Sequence, residues 1–286
     1  MQNILIVHGW MHSAKRYQRL KKDLERLGAY HVELYEFPGF GDTPAKYKRD
    51  ILSGYVAEMR RYLNEHDFDG IVAHSMGGNV VLRAILGKDG VRRKPALVLL
   101  SPVYQGVGIL KPLMLFYPLL FPGMWLLQRP FAGCRLLVKL ASLFTVNGWA
   151  DIDERIVVDA RRADTMVAVR TLWELTFDCW RVAKNKGMKG NMTEKIPPCQ
   201  VTLVWGKKDR VITKRSMALL VGDLGGCDVR VFPEMGHTMV VEDYDELLKL
   251  FQKGVACRKR FSGASDGDAC RTDYKSKNSS KNERTK

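Results

Sequence analysis

Short, continuous apolar runs alternate along the chain with longer segments in which apolar residues recur every three or four positions. Strands are predicted at residues 4–7, 31–37, 70–73, 96–100, 201–205 and 228–232. Helices are predicted over residues 13–28 and 44–63, after the 74–78 segment as far as Leu86, from Thr213 and from Asp243. Apolar strands separated by amphipathic helices are typical of a mostly parallel sheet with helices on both faces, so the predicted fold class is α/β.

The alternation stops after Ser101-Pro102 and resumes only at Val201. The residues between show helical patterns without convincing strands. The sequence therefore predicts a core formed by residues 1–101 and 196–252 and a helical cap, or lid, inserted as residues 102–195. Residues 253–286 hold ten Lys or Arg against four Asp or Glu and almost no large apolar residues, which predicts a basic disordered tail.

Charge is the unusual part of the composition. Lys and Arg outnumber Asp and Glu by 46 to 31, which gives a formal net charge of +15 and favours anionic partners. No window interleaves basic with aromatic residues and no Cys/His spacing suggests a zinc finger, so nucleic acid is not expected as a partner. The six cysteines are scattered, and no cleavable apolar leader precedes the first strand pattern at Asn3, so reduced thiols and a cytoplasmic location are expected.

A serine at the end of the third apolar run is the first candidate for chemistry. Ser75 lies between a predicted strand and a predicted helix, with small residues two positions before it, Ala73, and two positions after it, Gly77. Such a nucleophile elbow exposes the hydroxyl at the carboxyl edge of the sheet and directs the backbone N–H of Met76 at a developing oxyanion. Taken alone, the pentapeptide is also compatible with an ordinary tight turn.

A serine needs a base, and the base needs an acid that orients it. His237 follows the last predicted strand and Asp209 follows the strand before it, so both fall on loops at the same sheet edge as Ser75. His8 lies beside the first strand and His74 in the elbow. The remaining histidines are interpreted as solvated residues in a loop, at a strand start and at a helix end: His12, His31 and His66.

These motifs together resemble the α/β-hydrolase superfamily. Ser75, Asp209 and His237 stand in that family's order of nucleophile, acid and base. Three further segments are similar to its motifs, namely the oxyanion loop at 8–11, the glycine-rich loop at 38–43 and the acid loop at 205–212. The resemblance covers residues 3–101 and 196–252, and it extends to monoacylglycerol lipases, lysophospholipases and carboxylesterases. The sequence departs from the family at Ala73, where a glycine is usual. It also shows no N-terminal hairpin before the oxyanion-loop strand.

The resemblance implies a serine hydrolase that cleaves carboxylic esters of a lipid or other acyl-chain substrate, with the backbone N–H groups of Trp10 and Met76 as the oxyanion hole. No cofactor and no metal are implied, because Gly39-Phe40-Gly41 lacks the third glycine of a dinucleotide fingerprint and no phosphate loop or paired-histidine motif occurs. Two alternatives stay open. One is a noncatalytic ligand-binding or membrane-docking protein on the same fold; the other is an esterase or thioesterase that acts on an acyl-carrier protein.

The first half of the insert combines apolar and basic residues. No Asp or Glu occurs over residues 102–150, and residues 112–128 carry no charge. This composition is typical of an interfacial membrane surface, and equally of a roof over an apolar pocket. The uncharged run of 17 residues is short for a span and is interrupted by Pro118, Pro122 and Gly123. If the surface is interfacial, the protein is peripheral at the inner face of the membrane.

We therefore predict that residues 110–140 bind anionic membranes. Aromatic side chains such as Phe116, Phe121 and Trp125 each contribute at about 25 cal/mol per Å² of buried apolar area, and each nearby Lys or Arg adds about 1 kcal/mol on an anionic leaflet. Cosedimentation with anionic vesicles checks this, using the chain ended at Lys253 so that the basic tail cannot contribute. If this protein stays in the supernatant at low salt, membrane binding by the segment is rejected and its interpretation as a roof over an apolar pocket stands.

Overall fold

One parallel sheet organises the molecule. The computed structural model describes residues 1–107 except 88, residue 139, residues 154–178, and residues 200–251 except 243 and 250. The strands in these ranges are β1 (Gln2–Val7), β2 (Tyr30–Tyr35), β3 (Gly70–His74), β4 (Ala96–Leu100), β5 (Val201–Gly206) and β6 (Asp228–Phe232). They pair in the order β2-β1-β3-β4-β5-β6, all parallel. The predicted α/β class with a parallel sheet is confirmed.

Helices follow the strands along the chain. They are a 3-10 turn at Ala14–Tyr17, α1 (Gln18–Arg26), α2 (Ile51–Glu65), α3 (Met76–Leu86), α4 (Glu154–Arg162), α5 (Thr165–Phe177), α6 (Lys214–Asp223) and α7 (Met239–Glu242). Residues 244–249 are also helical, as is predicted for the segment from Asp243. Helices α4 and α5 belong to the predicted cap.

The strands inside the sheet, such as β3, are buried on both faces, which explains their continuous apolar sequences, whereas the edge strand β6 is partly exposed. Leu5 and Val7 of β1 enter a core layer that also contains residues of α2 and α3. Ile4 and Ile6 enter the opposite layer, which contains residues of α1 and of the C-terminal helical segment. Successive residues of a strand point to opposite faces, so each layer receives every second side chain.

The structure corrects the start of one predicted helix. The sequence predicts a helix from Pro44, but α2 begins at Ile51, and Asp50 before it has a left-handed φ of 49°. Lys48 and Arg49 lie just before this start, where the positive end of the helix dipole disfavours cations inside the first turn. The residues from Pro44 to Asp50 therefore form a loop.

A side chain of α5 completes the N-terminus of α2. Glu174 of α5 accepts hydrogen bonds from the backbone N–H of Ile51 at 3.0 Å and of Leu52 at 2.7 Å. Asp50, the residue in the N-cap position, makes no side-chain capping bond. A carboxylate at this place binds N–H groups that have no partner within the helix and interacts favourably with the helix dipole. Helix α5 is thus joined to the core by charge-assisted bonds.

Several predictions fall outside the described residues. These include the apolar segment at 112–128, most of residues 110–140, and the tail at 253–286. Residues 103–107 of the predicted insert contain apolar side chains that pack in the same core layer as α2 and α3, so the boundary at 102 stays a prediction. Within the ranges described above, no helix is both long enough and apolar enough to cross a bilayer.

Candidate active site

Ser75 occupies a sharp turn between β3 and α3. Its backbone has φ 51° and ψ −114°, a region that residues with a side chain rarely adopt. Such strain persists where the surroundings hold it, and it is typical of functional sites. A Cβ on Gly77 would lie 2.5 Å from the carbonyl oxygen of His8, so glycine is required where α3 passes the loop after β1. The predicted elbow is present, with Ala73 fully buried in the position where a glycine is usual.

The structure brings the three predicted side chains into one hydrogen-bonded chain. The Nε2 atom of His237 lies 2.9 Å from the Oγ of Ser75, and its Nδ1 atom lies 2.9 Å from Oδ2 of Asp209. An ionised carboxylate only accepts hydrogen bonds, so Nδ1 carries the proton and a neutral ring leaves Nε2 free to accept from the serine hydroxyl. This is the tautomer that a general base needs.

The loop after β5 fixes the carboxylate of Asp209. Its Oδ1 atom accepts hydrogen bonds from the backbone N–H of Val211 and of Ile212, both at 2.8 Å. Burial alone raises the pKa of Asp209, but attraction to His237 and the bonds from the His237 ring and from Ile212 outweigh it and lower the pKa below its ordinary value. The acid is therefore ionised and its two oxygens have separate partners.

The β1 loop, residues 8–13, passes directly beside Ser75. A Cβ on Gly9 would lie 3.1 Å from the Cβ of Ser75, so the backbone that leads into Trp10 is next to the hydroxyl-bearing side chain. Met76 is the first residue of α3, and the first N–H groups of a helix have no acceptor within it. The two predicted oxyanion donors thus belong to segments on either side of Ser75.

His8 is a structural member of the β1 loop. Its Nε2 atom accepts from the N–H of Phe37 at 3.0 Å, and its Nδ1 atom donates to the carbonyl of Gly9 at 2.8 Å. Complete burial lowers the pKa of His8 to about 4, so the ring is neutral at physiological pH. It joins the β1 loop to the segment that follows β2.

A second chain of hydrogen bonds lies beneath the site. His12 Nδ1 is 3.1 Å from the hydroxyl of Tyr17, that hydroxyl is 3.0 Å from Nδ1 of His74, and Nε2 of His74 is 2.9 Å from the carbonyl oxygen of His237. A carbonyl only accepts, so His74 donates from Nε2 and accepts from Tyr17 at Nδ1. The tyrosine oxygen in turn accepts from His12. The strand that carries Ser75 is thereby bonded to the loop that carries His237.

The interpretation of His12 as a solvated loop residue is wrong. His12 is buried, and its ring stacks on that of His74 with centroids 5.1 Å apart. Burial lowers the pKa of His12 well below its ordinary value and lowers that of His74 to about 3. His31 and His66 are exposed, as predicted. The signal that could have identified His12 is its position five residues before Tyr17 in a loop that leads straight from a buried strand.

Among the described residues there is no candidate metal site. Within them, no group of three His, Cys, Asp or Glu side chains is arranged to hold an ion. Of the six cysteines, Cys227 lies in a described range, where it is a buried thiol. The ring nitrogens of the buried histidines next to Ser75 instead form hydrogen bonds with Tyr17 and with backbone atoms.

A parallel sheet with a serine on a strand-to-helix turn, and with its acid and histidine on later loops, defines a protein of the α/β-hydrolase type. The chain belongs to the alpha/beta hydrolase family, whose sequence profile matches residues 4–250. Membership of this family supports a hydrolytic activity.

Individual relatives are more distant. Monoacylglycerol lipase abhd6-A of Xenopus laevis is 33% identical over 55 residues, which are 19% of this chain and 16% of that protein, so the match spans a minor part of the curated relative. An esterase from Exiguobacterium antarcticum is 14% identical with a TM-score of 0.64, covering 90% of this chain and 92% of its own. A carboxylesterase structure from Nitrososphaera gargenis is 15% identical with a TM-score of 0.65, covering 91% of each chain. At these identities the structural likeness shows the fold.

The buried histidines predict a loss of stability in mild acid. In the unfolded chain His8, His12 and His74 take up protons near their ordinary pKa of 6.5. In the folded protein burial lowers the pKa of His8 to about 4 and that of His74 to about 3, and it holds the pKa of His12 well below its ordinary value. The contribution of these neutral histidines to the free energy of unfolding is complete above pH 6.5 and is lost as the pH falls below that value. The expected slope is about 1.4 kcal/mol per pH unit for each histidine.

Urea unfolding of the His12→Gln variant between pH 7 and pH 5 checks this expectation. The variant should take up about one proton fewer on unfolding than the parent, which makes its stability less dependent on pH. His31→Gln is the matched control, because that side chain is exposed in the folded protein. An equal pH dependence for His12→Gln and the parent contradicts the prediction.

Proposed function

We propose that the protein is a serine hydrolase that cleaves carboxylic esters through an acyl-enzyme intermediate. Ser75 is the nucleophile, His237 the general base and acid, and Asp209 the residue that orients His237. The observation that carries the proposal is the unbroken chain of hydrogen bonds from Ser75 through His237 to Asp209, with 2.9 Å at each step. The strained backbone of Ser75 at the head of α3 supports the same assignment.

The first half of the reaction forms the acyl-enzyme. The Oγ atom of Ser75 attacks the carbonyl carbon of the ester while its proton passes to Nε2 of His237. The carbonyl electrons move onto oxygen, and Asp209 stabilises the imidazolium that results. When the tetrahedral intermediate collapses, the bond to the alcohol oxygen breaks and His237 gives its proton to that oxygen. The alcohol leaves and the acyl group stays on Ser75.

The second half repeats these steps with water. His237 takes a proton from a water molecule as it attacks the acyl carbon, then returns the proton to Oγ as the acid is released. In both halves the negative oxygen is bound by the backbone N–H groups of Trp10 and Met76. Fixed donors of this kind lower the barrier because they need no reorganisation as the charge develops. The position of Met76 at the start of α3 adds the positive end of a helix dipole.

A lipid or other acyl-chain ester is the proposed substrate class. The similarity to a monoacylglycerol lipase of Xenopus laevis supports it, as does the apolar character of residues 112–128. A hydrolysis panel of p-nitrophenyl esters, monoacylglycerols and acyl thioesters identifies the bond that is cleaved. Turnover of acyl thioesters alone would favour the acyl-carrier-protein alternative.

Membrane contact by the cap is part of the proposal. The lack of acidic residues over 102–150, together with the net charge of the chain, supports attachment to an anionic surface. The protein would then act in the cytoplasm at the inner face of the membrane, where acyl-chain esters are concentrated. Most of this segment lies outside the described residues.

Replacement of the nucleophile is the primary test. Ser75→Ala should lower kcat about 10⁴-fold or more and abolish labelling by a fluorophosphonate, because it deletes the attacking oxygen. The fold should persist, since the change removes one oxygen atom. Ser53→Ala, an exposed serine on α2, is the matched control. A folded parent that does not react with the probe supports the noncatalytic alternative, and a Ser75→Ala variant within about tenfold of the parent removes Ser75 from the mechanism.

Replacement of the acid tests the tautomer. In Asp209→Asn, the amide oxygen is needed at the Oδ1 position, where Val211 and Ile212 donate, so the amide NH₂ faces Nδ1 of His237. His237 must then carry its proton on Nε2 and cannot accept from Ser75. We expect kcat to fall about 10⁴-fold, with KM little changed.

Asp228→Asn at the start of β6 controls for the loss of one negative charge. Circular dichroism confirms folding before the kinetic measurement. If Asp209→Asn keeps the parent kcat and neutralisation of another acid does not, the acid has been assigned to the wrong residue.

A further inference from the structure

The side chain of Trp10 is bonded to the cap. Its indole Nε1–H donates to the backbone carbonyl of Ala168 in α5 at 2.9 Å, across 158 residues of sequence. A helical carbonyl has two lone pairs, so it can accept this bond as well as the one from its own helix. The residue proposed to bind the oxyanion through its backbone is therefore anchored through its side chain to a helix outside the sheet.

The far end of the β1 loop is also held by the cap. Asp159 of α4 accepts from the hydroxyl of Ser13 at 2.6 Å and pairs with Arg16, whose Nε and Nη2 atoms lie 2.8 and 2.6 Å from its Oδ2. The side chains of Arg16 and Asp159 are only 2% and 5% exposed. Removing one partner of such a pair would leave the other charge buried without compensation, so the cap and the loop are firmly joined here.

The middle of the loop is unusual in its backbone. Met11 has a left-handed φ of 55°, which is unfavourable for a residue with a side chain. Its side chain packs against the small apolar cluster formed by Val157 and Ala160 of α4. Three residues of the loop, Trp10, Met11 and Ser13, thus depend on cap helices for their position.

This anchoring bears directly on the nucleophile. Gly9 lies against Ser75, with a Cβ built on it only 3.1 Å from the Cβ of the serine. A shift of the loop by a fraction of an ångström therefore changes where the Trp10 N–H points relative to the carbon that Ser75 attacks. Stabilisation of an oxyanion depends on such placement, and misplacing a group by about 1 Å costs up to about a hundredfold in rate.

We propose that Trp10 is a positioning residue, whose indole bond to Ala168 lets α5 hold the oxyanion-binding N–H of the same residue in place. The inference rests on the proposed function. It makes α4 and α5 part of the active-site structure, because these helices hold the β1 loop in position. This role is separate from any role in covering the substrate.

Two replacements at Trp10 remove the indole donor. Trp10→Phe keeps an aromatic ring but changes its size. Replacement by benzothienylalanine keeps the bicyclic shape and substitutes sulfur for the N–H, so packing and folding are preserved. Trp173→Phe, an exposed position on α5, is the matched control. The assays are hydrolysis of p-nitrophenyl butyrate and inhibition by a trifluoromethyl ketone, which forms an anionic tetrahedral adduct with serine.

Both Trp10 variants should lose about tenfold to a hundredfold in kcat, with KM within about twofold of the parent. The inhibition constant of the ketone should rise by a similar factor, because the adduct resembles the transition state. Trp173→Phe should match the parent. A higher KM with unchanged kcat would mean that Trp10 only lines the pocket, and this overturns the inference.

The two proposals can fail separately. If the parent protein hydrolyses the ester and the benzothienylalanine variant has the same kcat and the same ketone inhibition, the inference is overturned and the serine hydrolase assignment stands. If the folded parent neither hydrolyses the ester nor reacts with a fluorophosphonate, the proposed function is overturned and the inference with it.

Discussion

The site depends on a close approach of two backbones, the turn between β3 and α3 and the loop after β1. Gly77 faces the carbonyl of His8, and Gly9 faces the ring of His74, at distances that leave no room for a Cβ in either place. Because the two segments touch directly, the polar groups between them are sealed from water. Each must therefore find a partner within the protein. The neutral histidines and their fixed tautomers follow from this contact.

Strand positions could be predicted well from the sequence where a strand is buried on both faces. A strand such as β4, Ala96–Leu100, is apolar at every position, and both its bounds agree with the prediction. The start of α2 could not be predicted in the same way. Its first N–H groups are satisfied by Glu174, more than a hundred residues away, and a local pattern carries no information about a partner at that distance.

The candidate site likewise contains residues that could be predicted from the sequence and residues that could not. Ser75, Asp209 and His237 could be singled out because each follows a recognisable strand, and parallel strands bring such positions to one edge. Asp159 could not, because its significance comes from Ser13 and Arg16 in a different part of the chain. Its own segment looks like an ordinary amphipathic helix. Buried charges that join distant segments have no periodicity from which they can be predicted.

The pairing of β4 with β5 has a consequence for how the protein is made. Leu97 is opposite Val201, although the two strands are separated by the hundred residues 101–200. At about 5–20 residues per second, a ribosome needs on the order of ten seconds to synthesise that stretch. During this interval β4 has no neighbour on one side, and its unpaired edge can pair with another chain. A nascent chain of this architecture therefore needs protection from aggregation before its sheet is complete.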